Sequence, residues 1–408
     1  MKPNAFAGRF GRCIRREETR PRPTTIILRD AMRDTDLQYE IISDENQFRA
    51  LKDDWDALWS RANGRYYQAF SVCLLAWLHV AKPQGRRLRC LVCRENGRLV
   101  MVWPLVTYRR ALWTYMLPLS PDAGDYTSVL VASDQFAAAL IEGAWRLACR
   151  RCGADFMHLP YTHEGSELYD LARRHRRVVS AKRDDSWIAK LRDENDWDVL
   201  CGKLGTLYRK KPGALQRRLS KEGELVIRMA DPADTEEIAT MVDRMLKWKR
   251  GWSDRVHKHG DWLSSSYFQS FLVALLSAAD GRAMARLIIV SLDNEPIAAL
   301  ITTIGNPCAN AIIGGFDEKY GKFGPGSIAV EHCVKWAFEQ RFDLDFGVGS
   351  ERFKSYWSNQ NVSSAWTFHT VNTNWGLVRA RAGRLARTLG LAPVRSVEPP
   401  GEMAANSP

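Results

Sequence analysis

The chain has 408 residues, of which 45% are hydrophobic and 26% are charged, a composition typical of a globular protein in water. This length exceeds one ordinary hydrophobic core, so we expect two domains. The apolar run at residues 271–279 is far shorter than the ~20 residues that cross a bilayer, and no secretory signal pattern opens the chain. We therefore expect a cytoplasmic protein without a transmembrane segment.

The net charge of +12 is partly local, with arginine-rich stretches near both ends of the chain. A basic balance suits phosphate-bearing partners, namely nucleic acid, anionic lipid or a nucleotide cofactor, but it also suits a merely solvated surface. Charge alone does not choose among these. It excludes none of the enzyme or binding classes considered below.

Nine cysteines are scattered along the chain, which favours reduced thiols. Cys90/Cys93 and Cys149/Cys152 have the C-x-x-C spacing of a four-thiolate zinc site. However, the first pair lies in a strand-like stretch, where residues three apart face opposite sides of a sheet. The second pair ends a helical stretch and reads as small apolar residues. We therefore expect no metal site.

The predicted elements begin after a leader at residues 1–37, which is basic, lacks periodicity and is predicted to be disordered. A first domain at residues 38–190 opens with a strand and a helix in LQYEIISDENQFRALKDDWDALW, followed by a helix in FSVCLLAWLHVA. Two strands follow, joined at Asn96-Gly97, the signature of a tight hairpin. The remaining predictions are a strand near 126–131, a helix at 135–151, a strand at 156–159 and a helix at 166–174.

A second domain at residues 191–375 repeats this order, which indicates internal duplication of one α+β unit. It begins with a basic segment at residues 208–221, predicted to be a helix that bridges the domains. Next come helices at 234–250 and 267–278, the strands MARLIIVSL, PIAALITTI and NAIIGGF, a glycine-rich turn, a helix at 327–341, the strand LDFGV and a last strand at 365–370. Residues 376–408 form a basic tail.

The glycine-rich turn before the helix at 327–341 is the most informative feature. Gly324, Gly326 and Ser327 allow a close backbone approach at a helix start, whose free N–H groups and dipole favour anions. Lys319 and Lys322 add positive charge. A tight turn with a serine cap and a proline at the first helical position explains the same residues equally well.

The order of elements resembles the acetyl-CoA half of the GNAT superfamily, and more closely the CelD/BcsL group (Acetyltransf_6), which is similar to the tandem Fem-type transferases. The resemblance covers about residues 38–372. Its motifs are Tyr320 with Pro325-Gly326-Ser327, the helical Trp336-Ala337-Phe338, the strand pair Asp345-Phe346, the set Gly349, Glu351, Lys354 and Trp357, and upstream Asp125-Tyr126. The usual Arg/Gln-x-x-Gly-x-Gly pattern is not reproduced, since Gly321 stands three residues before Gly324.

This resemblance implies an α+β fold of two tandem GNAT-like domains, each with a mixed, mostly antiparallel sheet flanked by helices. It implies an N-acyltransferase that uses acetyl-CoA or another acyl-CoA as cosubstrate. The first domain lacks a glycine-rich turn, so we expect it to be degenerate and structural. The implied cofactor-binding residues are Ile313, Gly314, Lys319, Lys322, Gly324, Gly326 and Ser327.

N-acyl transfer needs a neutral amine, a polarised thioester carbonyl and an acid for the departing thiolate. Backbone N–H groups near residues 313–316 would polarise the carbonyl. The candidate bases are Asp345 and Glu351, the candidate acids Tyr356 and Tyr320, and the candidate acceptor-binding residues Lys354 and Trp252. Structural interpretations, such as a strand-end carboxylate for Asp345 and a solvated ion pair for Glu351 and Lys354, remain open.

Two other patterns suggest chemistry less well. His257 and His259 lie in a loop without partners at metal-ligand spacing, so a substrate loop is the better interpretation. His332 and Cys333 are adjacent on a helix and point about 100° apart, which disfavours a catalytic pair.

The acceptor is an amine-bearing small molecule or sugar, with amino sugar, peptide amine and polyamine all open. One alternative is a Fem-like transferase that uses aminoacyl-tRNA, for which the basic segment would bind phosphates. Another is a non-catalytic accessory protein of exopolysaccharide or cellulose synthesis. We expect no specific nucleic-acid binding, and we expect peripheral contact with envelope-synthesis machinery.

Overall fold

A computed structural model describes residues 24–29, 36–122, 126–132, 136–207, 210–257, 260–277, 283–305 and 307–388. The strands of the first half are β1 Thr24–Arg29, β2 Asp36–Ile42, β3 Arg87–Leu88, β4 Cys90–Glu95, β5 Arg98–Trp103, β6 Leu105–Arg110, β7 Trp113–Pro118, β8 Leu130–Val131, β9 Phe156–His163 and β10 Val178–Ala189. Its helices are α1 Glu45–Ala50, α2 Lys52–Arg61, α3 Phe70–Ala76, α4 Ala137–Arg151 and α5 Glu167–Arg174, and α3 continues as a π-helical turn at Trp77–Ala81.

The second half has the strands β11 Leu225–Met229, β12 Ala285–Leu292, β13 Glu295–Thr303, β14 Cys308–Phe316, β15 Asp343–Val348 and β16 Val362–Val371. Its helices are α6 Trp197–Lys203, α7 Ala214–Leu219, α8 Thr235–Arg255, α9 Ser266–Leu276, α10 Pro325–Glu339, α11 Arg352–Trp357 and α12 Asn374–Thr388. Short 3₁₀ turns lie at Tyr66–Gln68, Asp261–Ser264 and Glu318–Phe323.

Local sequence signals explain the boundaries of several elements. Asn96 and Gly97 have φ values of 49° and 79°, the left-handed pair of the predicted β4–β5 hairpin. Asp293 and Asn294 make the same turn between β12 and β13, with φ values of 51° and 65°. The side chain of Asp234 accepts a hydrogen bond from the backbone of the first turn of α8 and so fixes the start of that helix.

The strands form two sheets in the described part of the chain. The smaller has the order β1-β2-β4-β5-β8, and the larger has the order β11-β12-β13-β14-β15-β10-β16-β9-β7-β6-β3. Two strand pairs, β7–β9 and β14–β15, are parallel, and the other ladders are antiparallel. The fold is therefore α+β with mixed, mostly antiparallel sheets, as predicted.

The two halves share one sheet because β10 lies between β15 and β16, while β16 continues to β9. One hydrophobic core is also common to both halves: α3 packs against α9, which brings Phe70 together with Phe268 and Phe271. The boundary predicted at residue 190 directly follows β10. None of the helices in the described residues combines the length and apolar composition that a bilayer crossing needs.

Four sequence predictions need correction. Within the leader predicted to be disordered, Thr24–Arg29 form a strand that pairs with β2, consistent with their β-branched sequence TTIILR; residues 1–23 and 30–35 lie outside the described residues. The tail begins as helix α12, and residues 389–408 lie outside the described residues. Of the strand predicted near 126–131, only Leu130–Val131 forms.

The fourth correction concerns the basic segment at residues 208–221, of which only α7 is helical. Leu219 is fully buried in the core that contains α10, and the guanidinium of Arg218 lies 5.3 Å from the centre of the Phe323 ring. These contacts place α7 against the glycine-rich turn of the second half instead of across the two halves. Tyr208 and Arg209 lie outside the described residues.

Candidate functional site

The parallel pair β14–β15 separates part of the way along its length. The strands are paired from Cys308↔Asp343 to Asn310↔Asp345, and no further pairing between them follows in the described residues. Beyond this point β14 stays paired with β13, and β15 with β10. A gap therefore opens in the sheet beside the C-terminal half of β14.

The edge of β14 that faces this gap presents backbone groups. The Asp317 N–H donates to Ile297 O at 2.8 Å on the β13 side. Hydrogen-bonded and non-hydrogen-bonded pairs alternate in an antiparallel ladder, so Ile313 also bonds toward β13, while Gly314 and Phe316 turn their N–H groups toward the gap. Of the two residues predicted here, Gly314 offers its backbone to the gap and Ile313 contributes its buried side chain to the wall.

The glycine-rich turn closes one end of the gap. Gly324 has a φ of 68°, which suits glycine, and Pro325 occupies the first position of α10. A side chain at Gly326 would meet the Phe316 ring, since its Cβ would lie 2.8 Å from Cδ1. This glycine therefore lets the start of α10 approach the end of β14, and Gly324, Gly326 and Ser327 line a cleft. Pro325 has no N–H and the Ser327 N–H donates to Gly324 O at 3.0 Å, so Gly326 supplies the N–H of this turn that can serve a ligand.

This donor cleft has a volume of about 650 Å³ and runs from the turn along the gap. Gly314, Lys322, Gly324, Gly326 and Ser327, all predicted cofactor-binding residues, line it. Its cationic lining residues are Lys210, Arg218, Lys249, Lys322 and Arg352, against one carboxylate, Glu351. This excess of positive charge at a helix N-terminus suits a phosphate-bearing ligand.

Lys319 and Tyr320 lie outside the cleft lining. The Lys319 ammonium lies 5.1 Å from the centre of the Tyr320 ring, on the exposed side of the turn. The Asp317 side chain accepts from the Lys319 N–H at 2.9 Å and so caps the turn. The predicted roles of Lys319 in cofactor binding and of Tyr320 as an acid are therefore not supported by their positions.

A smaller inner cavity of about 190 Å³ adjoins the donor cleft, with which it shares lining residues such as Gly314, Trp252 and Glu351. Its wall includes three tyrosines of the first half, namely Tyr66, Tyr126 and Tyr161. The first half thus contributes to the site. The sequence reasoning identified none of these tyrosines as a site residue, although Tyr126 belongs to the quoted motif Asp125-Tyr126.

Trp252 lies on α8, where its ring lines both cavities. The Lys249 ammonium is 3.8 Å from the centre of this ring. The tryptophan therefore stands at the junction of the donor cleft and the inner cavity, which fits its predicted role in substrate binding.

The loop after β15 folds back over the inner cavity. Gly347 and Gly349 have φ values of 69° and 144°, and the Trp187 indole N–H donates to Gly349 O at 2.7 Å. The Lys354 ammonium donates to Val348 O at 2.7 Å. These contacts fix the loop between β15 and α11.

Glu351 and Lys354 form an ion pair of 3.1 Å at this loop. Lys354 is buried, with 8% of its surface exposed, and both residues line the inner cavity. Low exposure reduces the solvent screening that weakens a surface ion pair. The structure therefore brings these two predicted residues to the cavity together.

Asp345 is 2% exposed and lies behind the inner cavity wall instead of in it. Its Oδ1 accepts from the Tyr126 hydroxyl at 3.0 Å and from the Gly347 N–H at 2.7 Å. Burial raises the pKa of Asp345, while these hydrogen bonds and the nearby Arg65 guanidinium oppose the rise. A carboxylate in this environment is more basic than a solvated one.

Tyr356, the other predicted acid, is not brought to the cleft. Burial raises the pKa of its phenol to about 12, and the neighbouring titratable groups are Cys201 and Glu331. Its side chain belongs to the core between α10 and α11. This position leaves Tyr356 away from the gap where a thiolate would depart.

The remaining candidates are structural. Cys90 and Cys93 point into different hydrophobic cores, as the strand alternation predicts. Cys333 is fully buried, and burial raises the pKa of its thiol to about 12, which makes it a poor nucleophile. In the described part of the chain, no three His, Cys, Asp or Glu side chains are arranged to hold a metal ion.

Comparison with known proteins finds a matching family model and similar folds. Residues 208–355 match the family model Acetyltransf_6, Acetyltransferase (GNAT) domain. The fold is similar to that of FemX, with a TM-score of 0.55 and 15% identity over 80% of this chain and 97% of that chain. No curated protein matches the sequence significantly.

Two further solved structures are similar at lower scores. L-PGS from Bacillus licheniformis has a TM-score of 0.48 and 12% identity over 83% of this chain and 96% of that chain. A tandem GNAT protein from the clavulanic acid biosynthesis pathway has a TM-score of 0.46 and 13% identity over 83% of this chain and 99% of that chain.

Fold and site together define the class of this protein: it has an α+β fold of two tandem GNAT-like halves. Residues 208–355 of the second half match the GNAT acetyltransferase domain, and this match supports a transferase of the N-acyltransferase type. The narrower resemblance to the CelD/BcsL group stays a prediction.

Proposed function

We propose that this protein is an acyl-CoA-dependent N-acyltransferase that acts on an amine acceptor. The observation that carries the proposal is the gap between β14 and β15, which connects a cationic helix start to a cavity backed by carboxylates. A CoA thioester is long and has its pyrophosphate at one end and its reactive carbonyl at the other. The cleft has its cations at one end, where the pyrophosphate would bind, and its carboxylates near the other end, where the carbonyl would react.

The donor end would bind at the glycine-rich turn. Gly326 in the first turn of α10 provides an N–H group, and Lys322 and Arg218 provide positive charge on either side of the turn. The pantetheine arm would then run along the open edge of β14, where Gly314 presents its backbone. An N–H group on this edge would stabilise the negative charge that develops on the thioester oxygen.

The acceptor end would bind in the inner cavity, where the amine must lose a proton before it attacks. Asp345 and Glu351 are the carboxylates near this end. Glu351 stands where both cavities meet, and its ion pair with Lys354 holds the loop over the reacting groups. Tyr66, Trp252 and Trp262 supply aromatic walls that suit a compact acceptor or its ammonium group.

A second candidate is a Fem-like transferase whose donor is aminoacyl-tRNA. It is favoured by the similarity of the fold to FemX and by the exposed cations of residues 210–221. Binding to tRNA through such cations would weaken steeply with salt, because each neutralised phosphate releases counterions. Acyl-CoA binding in a defined cleft would depend on salt less strongly.

Isothermal titration of the full chain with CoA, acetyl-CoA and bulk tRNA separates the candidates. We expect saturable binding of CoA and acetyl-CoA, and RNA binding that disappears near physiological salt. Specific tRNA binding that persists at this salt, without CoA binding, would support the Fem-like function instead. If the protein binds neither donor, the proposal of a transferase is wrong.

A further inference from the structure

The two halves contain the same parallel strand pair, but in the described residues of the first half a segment of the chain that follows β7 lies beside β9. In the first half β7 and β9 pair at Tyr115↔Phe156 and Met116↔Met157. Farther along β9, the Thr127 N–H donates to Pro160 O at 3.0 Å, so the segment at residues 126–129 lies beside this strand. The chain itself therefore fills the gap of the first half.

Tyr126 lies on this filling segment and reaches the site of the second half. Its hydroxyl is 3.0 Å from Asp345 Oδ1 and 2.5 Å from Ser186 Oγ. The His163 ring stacks on the phenol with centroids 4.1 Å apart. Tyr126 lines the inner cavity, whereas Asp345 does not. The phenol therefore stands between the cavity and the buried carboxylate.

We propose that Tyr126 is a catalytic residue, which takes a proton from the acceptor amine and passes its own hydroxyl proton to Asp345. This inference rests on the proposed acyl transfer and deepens it. It also gives the first half a direct part in the reaction, in place of the purely structural role expected from its sequence.

The step balances as follows. The acceptor ammonium gives one proton to the Tyr126 oxygen while the Tyr126 hydroxyl proton moves to the Asp345 carboxylate. The amine lone pair then forms the C–N bond at the thioester carbonyl, the C–S bond breaks, and the departing thiolate takes the second N–H proton. The products are the amide, free CoA thiol and one proton, which Asp345 later releases to water.

The surroundings of Asp345 suit this role. The groups that face it are the Tyr126 phenol, the Gly347 N–H, the Arg65 guanidinium, the Lys354 ammonium and the Cys308 thiol. Burial raises the pKa of Asp345, while the Arg65 and Lys354 cations oppose this rise and favour the carboxylate form.

The phenol itself stays neutral. Burial and the nearby Asp345 carboxylate raise the pKa of Tyr126 well above its usual range. A neutral phenol both donates and accepts a proton, which a relay between an ammonium and a carboxylate requires. The Ser186 hydroxyl and the His163 ring hold the phenol in place for the transfer.

The test compares Tyr126→Phe with Tyr39→Phe in the full chain. Tyr39 is a matched control in the first half, because it is also buried and its hydroxyl donates to Leu140 O at 3.2 Å, away from the cleft. Acetyl transfer from acetyl-CoA is measured with glucosamine, spermidine and a lysyl peptide, together with CoA affinity. We expect Tyr126→Phe to reduce turnover ~10²-fold, the usual size of proton-transfer catalysis, and to keep CoA affinity. Tyr39→Phe should keep both.

A pH profile distinguishes proton transfer from a structural role. In Tyr126→Phe and in Asp345→Asn, the amine must lose its proton to water, so turnover should rise with pH toward the pKa of the amine. Because the two residues act as one unit, the double variant should be no slower than the slower single variant. Independent, multiplying losses with an unchanged pH profile would contradict the relay.

The outcomes separate this inference from the proposed function. If the wild-type protein transfers acetyl and Tyr126→Phe keeps turnover within threefold, the relay is wrong and the proposed function stands. If the wild-type protein binds no CoA and acetylates none of the three amines, both are wrong.

Discussion

Replacing Lys322 by Met removes one positive charge from the donor cleft while keeping the length of the side chain. Lys322 lines the cleft, and its ammonium lies 4.7 Å from the centre of the Phe323 ring, a contact that an apolar chain can largely replace. Lys319 sits on the same turn, over the Tyr320 ring, but does not line the cleft. Lys319→Met is therefore a matched control of equal charge change.

The expected loss follows from the exposure of Lys322, which places its charge in a medium close to water. For an ammonium about 5 Å from one phosphate charge and an effective dielectric constant of roughly 40 to 80, Coulomb's law gives about 0.8–1.7 kcal/mol. This corresponds to a roughly four- to seventeen-fold loss of CoA affinity. The loss should shrink as added salt screens the charge.

Isothermal titration with CoA and with pantetheine provides the assay. Lys322→Met should weaken CoA binding and leave pantetheine binding unchanged, because pantetheine lacks the pyrophosphate. Lys319→Met should leave both unchanged. Equal losses in the two variants would show that only the general charge of the turn matters, and unchanged CoA affinity in Lys322→Met would remove the turn from the donor site.

Three further predictions follow from packing and burial. Gly315→Ala should destabilise the fold by about 1–3 kcal/mol in urea unfolding, because its Cβ would lie 2.5 Å from Met245 O. Gly251→Ala, at an open position of α8, should instead stabilise the fold by about 0.5–1 kcal/mol. Equal stabilities of the two variants would contradict this packing. Burial lowers the pKa of His369 to about 4, so between this pH and the unfolded pKa of about 6.5 the unfolded chain binds more protons than the folded one. The contribution of His369 to the free energy of unfolding is therefore complete above a pH of about 6.5 and is lost as pH falls toward about 4. The slope is up to ~1.4 kcal/mol per pH unit. His369→Gln should remove this slope from urea unfolding measured between these pH values. Tyr356→Phe should leave acetyl transfer unchanged, and a large loss of turnover would return this phenol to the site.

The sequence predicted the second half well because its signals are local. Apolar periodicity located α8, α9 and α10, and turn residues located the hairpin at Asp293-Asn294. The glycine-rich turn and the loop with Glu351 and Lys354 follow these elements directly, so their approximate position could be inferred from chain order. The Glu351–Lys354 ion pair and the Lys354–Val348 hydrogen bond are short-range in sequence, and local patterns report such contacts best.

Long-range pairing explains what could not be predicted. Strand β16 pairs with β10 and β9 of the first half, and no periodicity within a strand specifies its partner. For the same reason the contact between Tyr126 and Asp345, which are 219 residues apart, left no local signal. Asp345 was predicted as a base within reach of the acceptor, because the strand pattern does not show that neighbouring strands bury it behind the cavity wall. The sequence also did not show that Lys319 and Tyr356 lie away from the cleft. The position of each side chain depends on which face of a short helix packs inward.

The asymmetry between the halves links the fold to the proposed chemistry. The acceptor end of the gap between β14 and β15 lies on the side of β15. Here β10 and β16 cover that side, and the filled gap of the first half presents Tyr126 to the buried carboxylate. A water-poor surrounding strengthens the hydrogen bonds and charges that act on the acceptor. Tyr126 of the first half therefore completes the proposed site of the second half, which gives the first half a part in the proposed chemistry.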